Sequence, residues 1–213
     1  MDSITTKQRS DLHLSRKLYH FSGVVLIISL FNTLDRQSSL LAMGATILLV
    51  VPLDYWRLHS KVLKQRIVKW FGPVMRNEEL STFSAMSYLL FGVLITIYIF
   101  PPQVATLALW LLAVGDPASG IVGVLYGKDK ILGSKTLQGF LGGFFACMVV
   151  GAIYYWSTGI LIDRLVLASI LTALVGATAE LLPLGRIDDN FSFPILAASG
   201  VWMIFYLFGG FGG

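Results

Sequence analysis

The sequence predicts an all-α, polytopic integral membrane helical bundle of about seven transmembrane helices, with a cytoplasmic N-terminus and an additional interfacial amphipathic helix. Three observations predict it. The 213 residues are 55% hydrophobic and only 13% charged, about half the roughly 25% charge of an average soluble domain. Charged residues are withheld from long stretches, and the cations gather in alternate connecting segments. The single Cys147 excludes a disulfide scaffold and a Cys-based zinc site. A net charge of +4 is modest, and no nucleic-acid partner is expected from it.

A bilayer core of about 30 Å needs about 20 apolar residues per helix. Backbone groups in lipid must be satisfied internally, so each charge-free stretch is expected to be helical. Seven spans follow in order: 18–34, 38–54, 82–100, 104–125, 137–156, 160–182 and 193–209. The first pair turns at Asp35-Arg36, and the third and fourth spans are divided by Pro101-Pro102. At about 20 residues each the spans use about 140 positions, so one transmembrane domain over 1–213 is expected. The first apolar stretch has no small-residue cleavage site after it and is read as a retained helix.

Segments 1–17, 55–81, 126–136 and 183–192 carry fourteen of the sixteen cations, leaving only Arg36 and Arg164 opposite. The positive-inside rule puts those four segments in the cytoplasm, in a multi-pass membrane protein. In 55–81, Trp56, Leu63, Ile67, Trp70, Phe71 and Val74 fall at helical spacing, with Arg57, Lys61 and Lys64 on another face. That pattern predicts a helix lying in the interface, its cations toward anionic headgroups.

Asp116 and Glu180 are carboxylates within spans. A charge near the bilayer centre costs at least about 2.5–3.5 kcal/mol, which makes both functional candidates. Pro117 follows Asp116 and predicts a break or kink there, because proline removes a backbone donor. Gly120, Gly123 and Gly127, with Gly139, Gly142, Gly143 and Ala146, suit close helix packing.

The loop Tyr126–Gly139 holds Lys128, Lys130 and Lys135 with Ser134 and Thr136 beside a helix N-terminus, a favourable place for an anion. It lacks P-loop spacing. Asp188-Asp189-Asn190 supplies hard oxygen ligands of the kind Mg²⁺ takes together with phosphates. Arg16, Lys17 and His20 open the first span, and Arg76 with Glu79 enters the third, all on the same side. Cations for phosphate and carboxylates for Mg²⁺ are what phosphoryl transfer requires.

The run Gly115-Asp116-Pro117-Ala118-Ser119 to Gly127-Lys128, then Lys135-Thr136-Leu137-Gln138-Gly139, Glu180, and Asp188-Asp189-Asn190 with Pro194 resembles the CTP-dependent lipid kinases. That family includes dolichol kinase, phytol kinase and the yeast-type diacylglycerol kinase. Arg16-Lys17-x-x-His20 and Arg76-x-x-Glu79 are similar to its other recurrent features, so the resemblance covers nearly the whole chain. One departure is that Ser134 precedes a single Lys135, where some members carry two lysines.

The resemblance implies transfer of the γ-phosphoryl of CTP to a lipid alcohol, an isoprenoid alcohol or diacylglycerol, at the cytoplasmic face. It implies Asp116, Glu180 and Lys135 at the chemistry and Asp116, Asp188 and Asp189 at Mg²⁺. Nucleotide and second contacts would come from Arg16, Lys17, His20, Arg76, Glu79, Lys128, Ser134, Thr136 and Asn190. The alternatives are a cytidylyltransferase forming a CDP-lipid and a non-enzymatic lipid or ion transporter. The oligomeric state is not legible.

Overall fold

The computed structural model describes residues 14–182 and 188–211. Its elements are α1 (Leu14–Thr33), α2 (Arg36–His59), α3 (Lys61–Phe71), α4 (Ala85–Ile99), α5 (Pro102–Tyr126), β1 (Lys130–Leu132), β2 (Lys135–Thr136), α6 (Leu137–Thr158), α7 (Leu165–Leu181) and α8 (Asp189–Phe208). Six helices are long and apolar enough to cross a membrane, and α4, at 15 residues, is a shorter apolar helix. The all-α bundle expected from the sequence is present.

Six helix starts follow from a local signal. Asp35, Ser60, Ser84, Thr136 and Asp188 cap α2, α3, α4, α6 and α8, each accepting a first-turn N–H on its side chain. Pro102 opens α5, where a missing N–H costs nothing. Contrary to the expected break, α5 continues through Pro117. Proline removes one bond from the ladder there, and the flanking turns, packed on both sides by α6 and α8, keep the helix intact.

The polar segment after α2 also differs from its expected form. Ser60 divides it, so Trp56 and Arg57 belong to α2 while α3 alone carries the exposed amphipathic pattern. Arg57 does not face headgroups; it is fully buried. The 126–136 loop is a small antiparallel hairpin, turned by Gly133 with φ +55°. Arg186 lies outside the described residues.

Helices α5, α6 and α7 form the centre, joined by the largest interfaces of the bundle. Small residues set their separation. A Cβ on Gly139 would stand 3.0 Å from the Ser119 carbonyl oxygen and 3.2 Å from Gly123 Cα. The buried Cys147 thiol fills the junction of three helices, 2.6 Å from where a Cβ would stand on either Gly115 or Gly176. Lipid offers no hydrophobic drive for helix association, so this fit holds the helices together. On the opposite end Arg36 donates to the Tyr98 carbonyl (2.6 Å), and Arg164 stacks on Phe208 (5.4 Å).

Gly176→Ala should lower thermal stability in detergent by about 1–3 kcal/mol through overpacking against Cys147. Adding Cys147→Ala should recover most of that loss, which a double-mutant cycle will read directly.

Candidate functional site

The start of α1, the end of α2, the start of α4, the end of α5, the hairpin, the end of α7 and the start of α8 share one end of the bundle. Two cavities open there. The larger, about 350 Å³, has Arg16, Lys17, His20, Arg76, Asp116 and Asn190 along its polar part. The smaller is lined by Ser119, Lys135, Thr136 and Glu180 with apolar neighbours. Asp116 and Ser119 lie about one turn apart on α5, so the two cavities adjoin across that turn.

Lys135 is the one hairpin lysine that turns inward. Its ammonium is paired with Glu180 and donates to Asp189 Oδ2 at 3.1 Å. Burial pulls its pKa down, but the charges and hydrogen bonds of Glu180 and Asp189 outweigh it and hold the pKa above the usual lysine value. Glu180 is buried, and its second oxygen, Oε2, has no hydrogen-bond partner among the described residues. Thr136 caps α6, its Oγ1 accepting from Gly139 N at 3.2 Å. Lys128 and Ser134 are exposed and line neither cavity. Lys128 contributes only its backbone N–H, to Gln138 at 2.9 Å.

In the larger cavity His20 Nδ1 stands 3.8 Å from Asp116 Oδ2, and both ring nitrogens are buried without a hydrogen-bond partner among the described residues. The Lys17 ammonium occupies the space that a Cβ on Gly120 would fill. That glycine therefore makes room for a charge as well as for packing. Asp188 accepts from Asn190 N (2.9 Å) and Nδ2 (2.7 Å) on one oxygen and from Arg76 Nη1 (3.3 Å) on the other. It closes the start of α8 onto the segment before α4.

Glu79 also lines the larger cavity, and its two oxygens accept from Arg76 N (3.0 Å) and Ala85 N (3.2 Å). Asp116, Asp188 and Asp189 face different partners, and among the described residues no three His, Cys, Asp or Glu side chains form a metal-holding group. The three carboxylates expected at Mg²⁺ therefore make no protein-only cluster.

Asp54 and Arg57 escaped the sequence reading as site-supporting residues. They pair at 2.6 Å, buried, one turn apart on α2. Arg57 donates to the carbonyls of Glu79 (2.6 Å) and Thr82 (2.8 Å). Asp54 accepts from Ser84 N (2.6 Å) and Ser87 Oγ (2.8 Å). The reason lies in α4: 15 residues span only about 22 Å, so irregular backbone before it sits against the bundle and must be satisfied by protein. The i, i+3 spacing of Asp54 and Arg57 was the available signal.

The chain is 28% identical over 203 residues to the CTP-dependent diacylglycerol kinase 1 of Eremothecium gossypii, a match covering 86% of this chain and 64% of that protein. It thus spans less than two thirds of that relative's length. The Schizosaccharomyces pombe protein of the same name is 30% identical over 161 residues, 70% of this chain and 69% of the relative. The Saccharomyces cerevisiae protein of that name is 23% identical over 203 residues, 86% and 70% respectively. No family model matches the chain. No solved structure matches it.

Arg57→Ala should destabilise the fold by about 3–5 kcal/mol, because Asp54 is left buried and uncompensated. The double variant Asp54→Asn with Arg57→Met should cost clearly less, measured by thermal unfolding in detergent.

Proposed function

The chain belongs to the CTP-dependent lipid kinase family, and from that premise we propose that it transfers the γ-phosphoryl of CTP to a membrane lipid alcohol, releasing CDP. One observation carries the reading. The Lys135–Glu180–Asp189 ion group and the His20–Asp116 pair lie on adjoining sides of one turn of α5, at one end of an apolar bundle. A charged donor and a lipid acceptor need that adjacency. The alcohol we assign is diacylglycerol, by the names of the relatives. We place the site on the cytoplasmic side, where the cation-rich segments put it.

Phosphoryl transfer rests on positioning and charge stabilisation more than on covalent chemistry. Lys135 acts as a point charge on the triphosphate, held in place by Glu180 and Asp189 when the nucleotide is absent. The first turn of α6, capped by Thr136, adds a positive dipole end. Arg16 and Lys17 bring further positive charge toward the same region. Asp116 orients the lipid hydroxyl and accepts its proton as the new P–O bond forms and the bond to the CDP oxygen breaks.

The residues fit Mg²⁺ held jointly with the nucleotide. Glu180 offers a buried carboxylate oxygen without a partner among the described residues, and Asp116 and Asp189 are partly open carboxylates. One or two such groups would hold this ion together with phosphate oxygens and water. When bound, Mg²⁺ neutralises charge on the transferring phosphoryl.

Purified protein with Mg²⁺ and γ-labelled CTP should move label into diacylglycerol and form CDP. Phytol, a short isoprenol, a polyprenol and ATP serve as comparisons. Labelled pyrophosphate without labelled lipid would indicate a cytidylyltransferase instead. Lys135→Met and Asp116→Asn should each reduce kcat/KM by about 100-fold or more. Lys128→Ala, an exposed charge, should stay within about fivefold of the parent.

A further inference from the structure

The larger cavity has two chemically different ends. His20 and Asp116 form one, beside Asn190, and among the described residues neither nitrogen of the His20 ring has a partner within hydrogen-bond geometry there. Burying such a ring unsatisfied is unfavourable, and a bound hydroxyl would relieve it. Away from His20 and Asp116 the lining is mostly apolar, with Val50, Leu53, Leu89 and Leu90, and it also includes the Asp54–Arg57 pair. Although α1 and α2 are consecutive, they scarcely touch: α1 packs mainly on α5 and α2 mainly on α4. The divergence leaves open space at Gly23, where nothing lies within 4 Å of a would-be Cβ. Leu53, on the cavity wall, is 50% exposed, so the cavity is open to its surroundings along α2.

We propose that this cavity is the lipid-alcohol site, with the acceptor hydroxyl at His20 and Asp116 and the chains leaving sideways between α1 and α2 into the bilayer. The assignment rests on the kinase reading above and locates its acceptor. Depth favours a lipid over the nucleotide. Asp116 lies ten residues before the end of α5, about 15 Å down the helix, in a cavity whose lining is mostly apolar. A triphosphate would have to be desolvated to enter there, whereas a lipid already occupies that depth. A volume of about 350 Å³ falls at the low end of ligand pockets, about 300–1,000 Å³. It suits the reacting end of a lipid and the first part of its chains.

Photocrosslinking tests the site without turnover. A diacylglycerol with a photoreactive group near its glycerol should, in the absence of nucleotide, label the His20–Gly23 and Val50–Leu53 peptides of the purified wild-type protein. Label confined to outward-facing positions such as Leu26 and Leu48, 61% and 75% exposed, would overturn the assignment. Gly23→Leu should fill the open space and raise the KM for diacylglycerol in mixed micelles roughly tenfold or more, with the KM for CTP changed by less than about twofold. Leu48→Trp, outside the cavity, should leave both values alone. An unchanged lipid KM in a folded Gly23→Leu protein also overturns it. If the wild type phosphorylates no lipid alcohol, the kinase reading fails on its own, and the crosslink still decides the site.

Discussion

Close backbone approach among α5, α6 and α7 is the constraint on which the rest of the structure depends. Gly123, Gly139 and Gly143 let α5 and α6 meet, and the Cys147 thiol occupies the notch shared by Gly115 and Gly176. In water, burial of apolar surface would drive such helices together. In lipid that drive is lost, and shape complementarity carries the association. The same junction carries Asp116 and Ser119 on α5, Lys135 and Thr136 just before α6, and Glu180 near the end of α7. Packing and chemistry therefore share one set of helices, and a change in their separation would move the functional side chains.

Two kinds of buried polar group stand beside this junction, and the difference between them is informative. Asp54, Arg57 and Glu79 spend their hydrogen bonds on the irregular backbone before α4. That network is what membrane burial demands of any structure whose helix stops short. The ring nitrogens of His20 and Oε2 of Glu180 are also buried, yet they have no hydrogen-bond partner among the described residues. Satisfied groups hold the scaffold. Unsatisfied ones are places where a ligand can complete the hydrogen bonding.

Arg76 ties the first of these groups to the start of α8. Its backbone N–H is held by Glu79, while its guanidinium reaches Asp188 at the start of α8. The segment before α4 is thereby tied to both α2 and α8, and it closes one wall of the larger cavity. Gly92 on α4 completes the arrangement, since the backbone of Asn190 and Phe191 lies where a Cβ would be.

Much of the fold was legible because bilayer insertion is a local property: span length and charge spacing are read along the chain. The sequence by itself determined the apolar helices, an amphipathic stretch within 55–81 and the gathering of Arg16, His20, Arg76, Asp116, Lys135, Glu180 and Asp188 toward one end. Only the tertiary structure decided which charges serve the site and which serve the scaffold. Lys128 and Lys135 look alike in sequence, yet one is exposed and the other meets carboxylates from α7 and α8, 45 and 54 residues away. Arg57 reads as a headgroup contact until the shortness of α4 gives it carbonyls to bind. The continuity of α5 through Pro117 likewise depends on neighbours. Those outcomes turn on partners brought together from distant parts of the chain, and local periodicity carries no record of them.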